Sequence, residues 1–157
     1  MQNNPYIPPA AELKDVPRPP GSPIKAIGLG FLVDMVATVV GGAILGFSYA
    51  FVLGKQGLSH EQITSALRDQ HSMTTTIGLV GVVIGTAASF LGGWVCARIA
   101  RRNELRLGAA LAAVLTLFGL IFAGDGRLPL PELLVASVLT VGAVMAGSVL
   151  GRSRNAT

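Results

Sequence analysis

The chain has 157 residues, of which 51% are hydrophobic and only 13% charged, with a mean hydropathy of +0.61. Ordinary soluble domains carry about 25% charged residues, so this composition excludes a water-soluble fold and makes the bilayer the expected solvent. A net charge of +4 and a pI near 9.8 would suit nucleic acid, but the basic residues flank apolar runs instead of lining a polar face. That arrangement excludes a nucleic-acid partner and points to topology signals and contacts with anionic lipid.

Residues 1–23 hold seven of the nine prolines, Pro5, Pro8, Pro9, Pro17, Pro19, Pro20 and Pro23. Regular helix is blocked there and polyproline-like conformations are favoured, so a disordered, Pro-rich cytoplasmic tail is expected. The alternative is a short linear motif, through Asn4-Pro5-Tyr6 or Pro17 to Pro20, that docks on an aromatic groove. The first apolar run far exceeds a cleavable signal core of about 7 to 15 residues and should remain as an anchor.

Four apolar stretches follow, at about 24–53, 75–99, 105–123 and 133–150. Each is long enough to cross a hydrocarbon layer about 30 Å thick. The first, at about 1.5 Å per residue, makes a helix of about 45 Å, so it must tilt or project. Within it Gly30, Asp34, Thr38, Gly42, Gly46 and Ala50 recur every fourth residue and predict a small, polar ridge that faces protein.

Between the first two spans, Ser59 and Gln62 have capping-box spacing, with Leu58 and Ile63 at staple positions. A short helix through about Arg68 is predicted, with Ile63, Ala66 and Leu67 on one face, lying at the membrane interface in the first outer loop. His60 and His71 lie too far apart for a short helical metal motif and are expected to be solvated. No metal or cofactor is expected.

The second span has its own ridge, Gly81, Gly85, Ser89, Gly93 and Ala97, expected to meet the first. Trp94 is placed as an interfacial anchor, and the lone Cys96 as an inert buried thiol. Arg98, Arg101, Arg102 and Arg106 form a basic elbow before the third span, where Gly108, Ala112 and Thr116 share a row. Gly124 to Pro131 breaks helix and forms a tight outer loop. The fourth span offers Ala136, Thr140, Val144 and Ser148 on one row and Ala143, Gly147 and Gly151 on another.

Lys14, Arg18, Lys25, Arg98, Arg101, Arg102, Arg106, Arg152 and Arg154 fall on one side of the predicted membrane, against Lys55, Arg68 and Arg127 on the other. Short loops make the positive-inside rule decisive, so both termini are predicted to be cytoplasmic. The expected fold is all-α and polytopic: a four-helix transmembrane domain over 24–151, N-in and C-in, with a cytoplasmic tail at 152–157.

Asp34 is the one acidic residue well inside a span, where an ionised carboxylate costs about 2.5 to 3.5 kcal/mol on insertion scales. One reading makes it a proton or cation site with Thr38 and with hydroxyls from Ser89, Thr116 or Thr140. The other makes it a packing determinant, or a residue shallow enough to reach headgroup water. No paired carboxylates, zinc-protease motif, nucleophile elbow, CxxC or phosphate loop is present, so no catalytic residue is assigned.

The head Asn4-Pro5-Tyr6-Ile7-Pro8-Pro9, with Leu13 and Asp15, resembles the heads of uncharacterised small bacterial inner-membrane proteins with four spans. Gly92-Gly93-Trp94-Val95-Cys96-Ala97-Arg98 is likewise similar to a Gly-Gly, aromatic, small, Arg pattern in such families. The resemblance implies a location in the bacterial inner membrane and no activity. The expectation is therefore a structural or accessory helix bundle, not an enzyme, that self-associates as a homo-oligomer or binds an unidentified membrane protein. The alternative is a small proton- or cation-coupled transporter or channel using Asp34.

Overall fold

A computed structural model describes residues 21–69, 73–123 and 129–153. Expectations about the tail before Gly21, His71, the 124–128 turn with Arg127, and Arg154 lie outside the described residues. Five helices form: α1 (Pro23–Lys55), α2 (His60–Asp69), α3 (Thr76–Ala100), α4 (Glu104–Ala123) and α5 (Leu130–Ser153). All but α2 are long and apolar enough to cross a membrane. Most of their ends lie within two residues of the sequence-predicted limits, and α5 extends three residues beyond them at each end, at its start because a proline is tolerated in a first turn whose N–H groups lack partners anyway.

Local chemistry sets the helix starts. Pro23 opens α1 behind an extended Ser22, whose carbonyl accepts from Ala26 N at 3.0 Å. Ser59 N donates to Gln62 Oε1 at 2.9 Å and Gln62 N to Ser59 Oγ at 3.4 Å, so the capping box before α2 is formed. Thr75 Oγ1 accepts from Gly78 N at 3.0 Å and caps α3. Between α3 and α4 the chain reverses through Arg101 and Asn103, both with positive φ, at 51° and 55°. At the other end Met73 N donates to Glu132 Oε2 at 3.1 Å, tying the approach to α3 onto the first turn of α5.

The hub is α3. It packs against α1 on one side and α5 on the other, while α4 touches all three, and α1 and α5 do not meet among the described residues. The contacts fix directions: Gly30 lies by Gly92 and Leu45 by Gly81, so α1 runs antiparallel to α3, while Gly108 lies by Ser148 and sets α4 antiparallel to α5. Gly21 N also donates to Ala100 O at 3.2 Å, closing the start of α1 onto the end of α3. Lys25, Arg98, Arg101, Arg102, Arg106 and Arg152 consequently share one end of the bundle, and Lys55 stands at the other with α2.

The core lies toward the basic end. Ala26, Cys96, Ala100, Leu111, Ala112, Leu115 and Val144 form it, with Phe31 and Leu107 packed against it. Phe31 meets Phe118 edge to face, ring centroids 5.4 Å apart. Large side chains point the other way: Leu32, Val39, Phe47, Val83, Leu117 and Val138 are all exposed. A bundle with small residues inside and large apolar ones outside is the pattern helices adopt when lipid surrounds them, because burial of apolar area no longer drives association and close backbone approach does.

Candidate functional site

Asp34 sits on the face of α1 that meets α3 and is only 4% exposed. Room for it comes from Gly92: a Cβ there would lie 3.1 Å from Asp34 Cβ and 2.8 Å from Gly30 O. The Ser89 hydroxyl, one turn before Gly92, lies near the Asp34 carboxyl. Asp34 Oδ1 is buried without a partner and shares that condition, among the described residues, only with Thr116 Oγ1. Such an oxygen is costly to strand and is available to a proton or a donor that enters.

The polar line continues beyond α3. Ser148 Oγ, fully buried on α5, donates to Gly93 O at 3.3 Å. Gly108 of α4 leaves space for that hydroxyl, since a Cβ at Gly108 would collide with Ser148 Oγ. Asp34, Ser89, Gly93 and Ser148 thus form a polar line across α1, α3 and α5 in the basic half of the bundle, in which Ser148 ties α5 to α3. The arrangement brings a carboxyl and hydroxyls into one buried line, groups suited to hydrogen bonding and proton exchange.

Thr38 is exposed and stands apart from this group. The reason is helical: every fourth residue advances about 40° round the helix, so a row from Gly30 to Ala50 sweeps about 200°. Gly30 and Asp34 face α3, and a Cβ at Gly42 or Gly46 would meet nothing within 4 Å. Gly41, outside the predicted row, takes over and lies against Ile84.

The ridge on α3 divides in the same way. Gly81 reaches Leu45 of α1 at an ordinary 4.0 Å, Ser89 lies near Asp34, and Gly85 has open space. Gly93 turns to α5, where a Cβ would strike the Val144 carbonyl, and Ala97 lies against Gly151. The expected meeting of the two ridges is thus confined to the Gly30, Asp34 and Ser89 region. Gly92 was missed because it is off the four-residue row; the Gly-Gly pair was its visible sign. Gly147, by contrast, occupies the predicted small row and approaches the Phe90 carbonyl so closely that no Cβ fits.

Trp94 is half-buried with its backbone against Gly147 and Gly151, and the Arg98 guanidinium lies 5.1 Å from its ring centroid. Arg98, Arg101, Arg102 and Arg106 are all exposed at the basic end. Cys96 is buried against Gly30.

At the opposite end Gly42 and Gly46 border a cleft of about 390 Å³, with Gly81 on its α3 side, Ala136 of α5 facing them, and Leu67 and Met73 toward α2. No protein family, no curated protein and no solved structure matches this chain.

Proposed function

We propose that this chain is a non-enzymatic structural or accessory protein of the bacterial cytoplasmic membrane, with both termini in the cytosol, that self-associates or docks on a larger membrane protein through α1. The observation that supports it is the economy of contacts on that helix. Only 11% of the most apolar window of α1 is buried, against 22% to 28% for α3, α4 and α5. Its open face carries Gly28, Thr38 and Gly42 among large apolar side chains, a mixture that suits a second helix at close range.

Val39 is 68% exposed on this face. A Val39→Cys variant in a Cys96→Ser background is expected to crosslink in native membranes, to itself or to a heavier partner. Isolated monomers from both crosslinking and mild-detergent pull-down would end this reading.

The unpartnered Oδ1 of Asp34 favours a second reading, a proton- or cation-coupled transporter or channel. Flux into liposomes that contain the wild-type protein, and its loss in Asp34→Asn, is the expected result under this reading. Flux that is absent throughout, or indifferent to the substitution, removes it.

A further inference from the structure

We propose that the cleft at the α2 end of the bundle is a binding site for one hydrocarbon chain of a membrane lipid, entering from the leaflet on that side. This inference is independent of whether the protein self-associates.

The cleft exists because α1 and α5 flank α3 without meeting. Between them the surface of α3 is bare, and glycines keep it so: Gly42 and Gly46 on α1 and Gly81 on α3 contribute no side chain to fill the gap. Ala136 forms the far wall, and Leu67 and Met73 close the cleft toward the α2 end. Among the described residues the lining offers apolar contact and no charged side chain.

Size selects the occupant. The cleft holds about 390 Å³. A groove of that size suits a slender chain better than a whole helix, which is about 10 Å across. An acyl chain, a row of methylenes each about the size of a water, is slender enough to lie in it. The volume also falls in the range of about 300 to 1,000 Å³ typical of ligand pockets. Lipid is the one such chain present at high concentration around a membrane-embedded helix bundle, and an apolar void left empty forfeits the contacts of its whole lining.

The test uses the full-length protein in phosphatidylethanolamine and phosphatidylglycerol vesicles doped with phosphatidylglycerol that carries a photoreactive diazirine within its acyl chain. Labelled positions are mapped by mass spectrometry. Labelling at Leu45, Met73 and Val82 is expected to exceed that at Leu117 and Val138, which are exposed on α4 and α5. Gly46→Leu adds a side chain at the edge of the cleft, where nothing lies within 4 Å of the added Cβ, and is expected to bring cleft labelling down to the bulk level.

Gly42→Leu, equally unobstructed, is the second filling variant, and Gly119→Leu, in open space on α4, is expected to leave the labelling unchanged. Cleft labelling no stronger than at Leu117 and Val138 in the wild type overturns the proposal, whatever the variants do. So does cleft labelling that persists in a folded filling variant.

Discussion

At Gly93 the absent Cβ marks where the Val144 carbonyl of the neighbouring helix sits, and at Gly147 it marks the Phe90 carbonyl. Neither obstacle is the end of a flexible side chain, so an added methyl forces backbone apart. Gly93→Ala or Gly147→Ala is therefore expected to cost about 1 to 3 kcal/mol, the usual penalty for overpacking a close contact. Gly85 has the same helical setting with open space around it. Gly85→Ala should gain about 0.5 to 1 kcal/mol by lowering the entropy lost on folding. Unfolding in mixed micelles with rising dodecyl sulfate measures both. Opposite signs are the expected outcome, and equal effects would mean that α3 and α5 do not touch through these glycines.

On the scale of the helices, what the sequence made legible is apolar length and local capping. Ser59 and Gln62 perform the hydrogen bonding their spacing implies, because a cap is an interaction within one turn and needs no partner element; Thr75 caps α3 in the same way without having been singled out in the sequence. Ser59→Ala is expected to destabilise α2 by about 1 kcal/mol, seen as faster amide exchange over His60–Asp69 with α3 unaffected. Equal exchange before and after the substitution would mean that the cap does not hold this helix.

Which face of each span meets protein was less legible. A four-residue row of small residues is a straight line in the sequence and a slow spiral on the helix, so it points to one neighbour for about two turns only. For that reason Gly30 and Asp34 serve the α1–α3 contact while Gly42 and Gly46 open onto a cleft, and Ser89 and Gly93 serve different partners. The Asp34 site was half legible: a carboxylate in an apolar run announces itself, whereas the choice of Ser89 over Thr116 or Thr140 depends on how three helices cross.

For the whole molecule, the helix directions turn a charge count into a geometric fact about the bundle. Lys25, Arg98, Arg106 and Arg152 belong to four different helices, two running each way, yet all lie at one end because antiparallel packing brings those termini together. Basic residues resist transfer across the bilayer, so an end that gathers them is expected to stay in the cytosol. Gln56 follows α1 at the opposite end and Ser153 closes α5 at the basic end, and both are exposed.

In a Cys96→Ser background, Gln56→Cys is therefore expected to react with a membrane-impermeant maleimide on intact cells whose outer barrier has been opened. Ser153→Cys should react only after the cytoplasmic membrane is permeabilised. Replacing Arg101, Arg102 and Arg106 together by Ala removes three of the basic residues gathered at this end, while the apolar spans and their glycine contacts are untouched. The expected result is a fraction of inverted chains in which Ser153→Cys becomes reactive from outside. If the triple replacement leaves the labelling unaltered, the elbow does not set the orientation and the bias rests on the remaining basic residues; if Ser153→Cys reacts from outside in the otherwise unaltered protein, the assigned orientation is reversed.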